Sequence, residues 1–322
     1  MIKWGVLGTA RVARYGVIPG IMKAFNCELY GIAGRDQQKV KQYQEQFGFT
    51  KAFVGYAALL ADPEVQAVYI PLPNNLHYEW VMKAIKAGKH VLCEKPMGLN
   101  SSQVKELHEA AKENNVVLME AFAYLHSPYI AALRKDVESG AIGDIQYIES
   151  AFLTQGYEQD IRLNKKMGGG CTYDLGCYCT SLILSLVNSE IDYVKGSAEF
   201  NDDGVDIYTA AIMKFKNGTR ASFNVGMMLG KEKDSRIDRL YIQGSKGYIK
   251  SAVEYNQSGE LSYTICIDGR EIQRTVIARQ NYCLEIEQMG KCIEKDEKPL
   301  VSAEFSMKNA VLLDEVLKAI GY

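Results

Sequence analysis

From its second residue to about residue 123 the chain alternates apolar runs of strand length with segments of helical period, a pattern that few architectures accommodate. Strand-like runs at 3–7, 29–33, 67–71, 90–93 and 117–120 enclose helical periods at 10–25, 37–47, 77–87 and 101–114. Strands that read as nearly continuous apolar runs belong in a parallel sheet covered by helices on both faces. Right-handed crossovers then make the sheet doubly wound. After Ser127-Pro128 one more helix runs to about residue 140, and the pattern changes to strands with few helices between them, at 145–153, 191–200, 207–216, 219–228, 236–243, 248–254, 261–268 and 272–277. That succession predicts a large, open, mainly antiparallel sheet, with Asn217-Gly218 as its strongest hairpin turn. Helices at 282–295 and 303–320 close the chain. A length of 322 residues at 47% hydrophobic content supports two cores, so we divide the chain into 1–123, an α/β domain, and 124–322, an α+β domain.

Charge narrows the partners. Lys and Arg number 37 against 39 Asp and Glu, a net charge of −2, so no global field draws the chain to nucleic acid or an anionic membrane. Small-molecule chemistry is favoured. The opening residues lack the regions of a signal peptide, and no apolar run approaches the ~18 residues of a membrane span; a cytoplasmic protein is expected. Cys27, Cys93, Cys171, Cys177, Cys179, Cys266, Cys283 and Cys292 contain no Cys-x-x-Cys pair, and reduced thiols are expected. A zinc site at Cys171, Cys177 and Cys179 lacks a nearby His and a fourth ligand, so no metal is assigned.

The turn after the first strand, Gly8-Thr9-Ala10-Arg11-Val12-Ala13, matches G-x-G-x-x-G/A with Ala10 in place of the second glycine. Gly8 permits the tight turn, Ala10 leaves only one side-chain carbon near a pyrophosphate, and Ala13 allows close helix packing, the logic of a Rossmann dinucleotide fold. Phosphate would rest on the amides of the helix start. An NAD site expects Asp or Glu at the end of the second strand, where this chain has Gly34 followed by Arg35. A guanidinium there can fork onto a 2′-phosphate, so NADP(H) is expected with NAD(H) possible; the competing reading pairs Arg35 with Asp36. Pro71-Leu72-Pro73-Asn74 follows the strand at 65–70, which puts Asn74 at the carboxyl edge of the sheet as a ribose ligand, as an N-cap of the next helix, or as both. His77 reads as a helix-start residue beside Trp80.

Two further clusters carry chemistry. Glu94-Lys95-Pro96 follows the apolar run Val91-Leu92-Cys93, and a lysine there can polarise a reacting hydroxyl, although the tripeptide alone also reads as an exposed turn. Gly168-Gly169-Gly170 precedes Asp174 and Tyr178, four apart and so on one face of a helix, with the glycines letting the backbone approach a ligand. Alone, that pair reads more readily as a cap and a buried hydrogen-bonding residue.

Together the motifs resemble one family. Trp4-Gly5-Val6-Leu7-Gly8-Thr9-Ala10, Pro73-Asn74 with His77, Glu94-Lys95-Pro96, Glu120-Ala121-Phe122, Gly140-Ala141-Ile142-Gly143 and the Asp174/Tyr178 pair occur in the order found in the glucose-fructose oxidoreductase, inositol dehydrogenase and MocA family. The chain looks most similar to the NADP-using branch of dihydrodiol dehydrogenase and xylose dehydrogenase-like proteins. The resemblance implies hydride transfer between nicotinamide and a hydroxyl or carbonyl of a sugar, polyol or vicinal diol. It places Lys95, Asp174 and Tyr178 on catalytic positions. It also places Glu94 on a cofactor position, beside Gly8, Thr9, Ala10, Arg11, Val12, Gly34, Arg35, Pro71, Leu72, Asn74 and His77. Leu125 departs from the family, where Arg is common, and puts that loop's contact in doubt.

Free tyrosine, with a pKa of ~10, ionises too little at neutral pH to act as a base, and a lysine ammonium within ~5 Å would favour phenolate; neutral Lys95 as base with Tyr178 as donor is the other assignment. Two readings compete with a dehydrogenase: a non-catalytic NADP-sensing regulator and a redox-assisted glycosidase of the same family. A polar cleft between the domains, with Tyr157, Asp160 and Arg162 as candidate lining, is expected to take a carbohydrate-like substrate. Ile212, Phe215, Phe223 and Met227 are candidates to face a partner copy in a dimer or tetramer built through the second sheet.

Overall fold

The computed structural model describes residues 1–154, 160–227, 236–252, 255 and 257–322. Two compact units result, one of residues 1–127 with 279–307 and the other of 128–278 with 308–322. The first unit carries β1 (Ile2–Leu7), α1 (Ile18–Lys23), β2 (Cys27–Gly34), α2 (Gln37–Phe47), β3 (Lys51–Val54), α3 (Tyr56–Leu60), β4 (Ala67–Ile70), α4 (Asn74–Lys86), β5 (His90–Glu94), α5 (Ser101–Glu113) and β6 (Leu118–Ala121). Its sheet runs β3-β2-β1-β4-β5-β6, and every pairing is parallel. Trp4, Val6, Ile32, Val68, Ile70, Val91 and Leu92 are sealed from solvent, as expected of central strands covered on both faces. The order reverses between β1 and β4, so their carboxyl ends open the crevice where doubly wound folds take ligands. Asp36 starts α2 by accepting from the amides of Gln38 at 2.9 Å and Lys39 at 3.2 Å, and Gly48 ends it in the left-handed region.

The second unit carries α6 (Pro128–Glu138), β7 (Ile145–Leu153), α7 (Cys177–Leu186), β8 (Ile191–Phe200), β9 (Asp206–Phe215), β10 (Arg220–Gly226), β11 (Ile237–Gly244), β12 (Gly247–Ser251), β13 (Gly259–Ile267) and β14 (Arg270–Ala278). Its eight strands run β14-β13-β12-β11-β7-β10-β9-β8. The hairpin turn at Asn217-Gly218 joins β9 to β10, with the Gly218 amide on Phe215 O at 2.9 Å. The sheet is mixed, because β7 and β10 pair in parallel.

Several expectations change. Helix α8 (Asn281–Lys295) packs with the first unit, which a single boundary near residue 123 does not anticipate. Its Tyr282 lies where a Cβ on Gly16 would come within 2.7 Å of the ring, and Asn26 donates its amide to Glu287 O at 3.0 Å. The division between units falls inside the last helix, α9 (Ala303–Ile320), after Met307. Phe215, Phe223 and Met227 are fully buried, and of the four candidates for a partner surface only Ile212, at 53% exposure, faces out. The outward side of the sheet is polar instead: Tyr147 meets Ser222 at 2.7 Å, Tyr208 donates to Asn224 at 3.1 Å, and Tyr241 donates to Gln243 at 2.8 Å. Strand pleating puts successive residues on opposite faces, so the apolar set had to go inward. Among the described residues no helix is long and apolar enough to cross a membrane.

Candidate active site

In the first unit the parallel strands bring the candidate cofactor residues to one edge. Gly8 follows β1 with φ +123°, a conformation that excludes a side chain, and its amide is fixed on Ala33 O at 2.8 Å. Thr9 and Ala10 are half-buried, whereas Arg11 and Val12 are open to solvent. At the end of β2, a Cβ on Gly34 would lie 2.6 Å from Val40 Cγ2. Helix α2 therefore leaves no room for the carboxylate that NAD sites carry there. Arg35 is exposed, and Asp36 is engaged in capping α2, which removes the pairing between them as the explanation of Arg35. Among the described residues Arg35 forms no ion pair. A tight glycine turn, a side-chain-free strand end and an open guanidinium fit a dinucleotide bearing a 2′-phosphate.

The loop after β4 is pinned to the turn after β5 by His77. Its ring lies between Leu72 O at 2.7 Å and Pro96 O at 2.8 Å, fully buried, and burial holds its pKa below the ordinary value. His77 thus clamps the loop after β4 to the turn after β5, with no exposed surface of its own. Asn74 is the first residue of α4, whose cap position is Pro73 without a side-chain cap, so the capping role falls away. Pro71 and Leu72 are buried beneath this edge. Tyr69 donates its hydroxyl to Glu94, and Lys95 follows, half-buried, in the turn to Pro96.

Behind this turn lie two buried acids, Glu120, which belongs to a family motif but has no role assigned from sequence, and Glu285, which no motif names. Glu120 accepts the Met97 amide at 2.9 Å, and burial pushes its carboxyl up to about 7, with Lys95 pulling the other way. Glu285 of α8 is fully buried with neither oxygen hydrogen-bonded; burial, then Glu94, raises its pKa well above the carboxylate range. A folded pKa above the ordinary 4.5 means that the stability contributed by protonated Glu120 is complete below that pH and is lost as pH rises through about 7. Glu120→Gln should therefore melt higher than the parent at about pH 8, by an order of 1–3 kcal/mol, and alike at about pH 4. Equal melting temperatures at both pH values would contradict it.

In the second unit, residues Thr172–Gly176 form a π-turn that leads directly into α7, and the Cys177 amide reaches back to Thr172 O. Such wide turns concentrate at functional sites. Asp174 lies in the π-turn and Tyr178 just beyond it. Arg162 Nε donates to Asp174 Oδ2 at 2.7 Å, and Arg162 Nη1 donates to Asp160 Oδ1 at 3.1 Å. Tyr157 lies outside the described residues. Tyr178 packs on Phe152 at 5.5 Å and Tyr255 at 4.9 Å between ring centroids, and the Arg236 guanidinium lies 4.6 Å above the Phe152 ring. Arg236, paired with Asp238 at 2.8 Å, was not foreseen. The triglycine serves internal packing: a Cβ on Gly169 would lie 2.4 Å from Arg162 O. All eight cysteines are free and buried.

A model of an oxidoreductase family with an NAD-binding Rossmann fold matches residues 2–122, and a GFO/IDH/MocA C-terminal domain model matches residues 130–250. D-xylose 1-dehydrogenase (NADP(+)) 2 of Haloferax volcanii is 30% identical, over 98% of this chain and 96% of that protein. The chain belongs to the GFO/IDH/MocA oxidoreductase family. Within the family, trans-1,2-dihydrobenzene-1,2-diol dehydrogenase of Xenopus laevis is 28% identical over 99% of this chain and 98% of that one. KijD10, a 3-ketoreductase from Actinomadura kijaniata solved with NADP and TDP-benzene, superposes with a TM-score of 0.92 at 28% identity, covering 99% of this chain and 98% of that one. As a GFO/IDH/MocA member the chain is an NAD(P)-dependent oxidoreductase that works by hydride transfer.

Proposed function

We propose that the chain interconverts a carbinol and a carbonyl on a sugar, polyol or vicinal diol with NADP(H), using Lys95, Asp174 and Tyr178. The observation that carries the cofactor choice is Arg35, exposed at a strand end where Gly34 leaves no space for a carboxylate. The substrate class follows from the relatives, which act on a pentose, a dihydrodiol and a keto sugar by their names. When bound, the nicotinamide supplies hydride donor and acceptor chemistry. In this reading Tyr178 takes or gives the hydroxyl proton. The Lys95 ammonium stabilises alkoxide and phenolate charge, and Asp174, held by Arg162, orients the hydroxyl. The initial rate of dihydronicotinamide formation across aldoses, polyols and vicinal diols, with each cofactor in turn, tests the reading. Turnover with at least one of these under NADP supports it; NADP(H) binding with no turnover across the panel favours a sensor instead.

Arg35 should carry the cofactor preference. Arg35→Ala is expected to raise the Michaelis constant for NADPH by about 10- to 100-fold, the worth of a charge-assisted contact, and to leave that for NADH unchanged. Equal effects on both cofactors would assign the preference elsewhere. We further propose that copies of the chain associate through the tyrosine-rich outer side of the second sheet, and that the eight free thiols reflect a reducing compartment. Ile212→Glu should then lower the oligomeric mass in solution, and an unchanged mass would place the interface elsewhere.

A further inference from the structure

Asp206 opens β9 and is fully buried. Its Oδ2 collects four donors: the Thr172 amide at 2.8 Å, Thr172 Oγ1 at 2.6 Å, Thr209 Oγ1 at 2.8 Å and Cys171 Sγ at 3.0 Å. Three of them come from the first residue of the π-turn and its predecessor. The carboxyl of a strand thus takes the amide that a helix start leaves without an intrahelical partner, and it ties that start to the sheet by several bonds at once. Oδ1 has no hydrogen-bond partner and points at Gly170, where a Cβ would lie 2.2 Å away. Gly170 also has φ +126°, so the second residue before the π-turn is compelled to be glycine twice over.

The consequence reaches the reacting groups. Asp174 and Tyr178 stand two and six residues beyond Thr172, on a backbone whose angular setting depends on where the π-turn begins. Phe152 of β7, against which Tyr178 packs, belongs to the same sheet as Asp206, so the sheet is the common frame for both ends of this segment. We propose that Asp206 is a positioning residue for the hydride-transfer reaction, anchoring the π-turn so that Asp174 and Tyr178 are held in productive geometry. The proposal rests on the reading that those two residues act on the substrate. A displacement of about 1 Å at a reacting group can cost on the order of 10²-fold in rate.

Asp206→Ala and Asp206→Asn are to be compared with the parent in turnover, in NADPH dissociation constant, and in hydrogen exchange of amides 172–178 without substrate. The alanine variant is expected to lose about 10-fold or more in kcat and to exchange those amides about 10-fold faster. Its NADPH affinity should hold within about 2-fold, because the nucleotide residues belong to the other unit. Asparagine can place its oxygen where Oδ2 stands and turn its nitrogen to the unpartnered side, so kcat should recover to within about 3-fold. A folded alanine variant with normal kcat overturns the proposal, even if its exchange is faster, because Asp206 would then serve stability alone. Unchanged exchange overturns it as well. If the alanine variant does not fold, Thr209→Val decides: removing one donor should lower kcat about 3-fold, and a normal kcat overturns the proposal. Tyr178→Phe run in parallel separates the two ideas. Normal turnover there defeats the functional reading, whereas an inactive Tyr178→Phe beside a fully active Asp206→Ala defeats only the positioning role.

Discussion

Lys95→Met is expected to lower turnover by about 10²-fold or more while leaving the NADPH dissociation constant nearly unchanged. Methionine matches the length of the lysine stem but removes the ammonium, so the change isolates charge from bulk. The turn that bears Lys95 is held from two sides independent of that charge. His77 binds Leu72 O and Pro96 O, and Glu120 binds the Met97 amide. The loop geometry should therefore survive, and the loss should appear in kcat. A variant with near-normal kcat would remove Lys95 from the chemistry, and one whose defect lies wholly in cofactor affinity would make it a binding residue.

The second large effect is expected at the phenol. Tyr178→Phe preserves the ring that packs on Phe152 and Tyr255, so the aromatic cluster should stay filled. Only the hydroxyl is lost. If that hydroxyl passes the substrate proton, oxidation in the parent rises with pH as the phenol ionises, and the rise should disappear in the variant with kcat lowered by about 10² to 10⁴-fold. A surviving pH profile of the same shape would name another group as the base. Loss of stability would not mimic this result, because it changes the amount of active protein and not the form of the profile.

Much of the architecture could be read before any coordinates, for reasons that differ between elements. The strands at 145–153 and 191–200 and the helices at 37–47 and 303–320 coincide with β7, β8, α2 and α9, because their apolar periods are long and their ends carry caps or turns. β3 escaped notice since its four residues are mostly exposed and show no alternation. A single boundary near residue 123 leaves α8 with the second unit, whereas it packs with the first, because helical amphipathicity says that a face is buried without saying against what. The outward side of the second sheet was misjudged for a related reason. Pleating separates Ile212 from Phe215 and Phe223, and the sequence does not say which set faces in.

The site was legible where backbone geometry constrains residue type and illegible where function is assembled from distant segments. Gly8, Gly34 and Arg35 all stand in local motifs, and for the two glycines the fold gives the reason, a φ of +123° at Gly8 and the approach of Val40 to Gly34. Asp206 is one acid in Asp202-Asp203-Gly204-Val205-Asp206, indistinguishable there from a solvated turn residue; only the meeting of β9 with the π-turn reveals its four donors. Arg236 and Glu285 are likewise ordinary charges in sequence. The triglycine misled for the opposite reason, since glycine signals a close approach without naming what approaches, and here the protein's own Arg162 carbonyl and Asp206 carboxyl fill the space.

The proposed mechanism has Lys95 and Tyr178 serving one substrate hydroxyl, and a double-mutant cycle is its sharpest test. Groups that work as a unit are strongly non-additive, so Lys95→Met combined with Tyr178→Phe should be hardly slower than the worse single variant. Losses in kcat that simply multiply would show two groups acting independently, and would contradict the account.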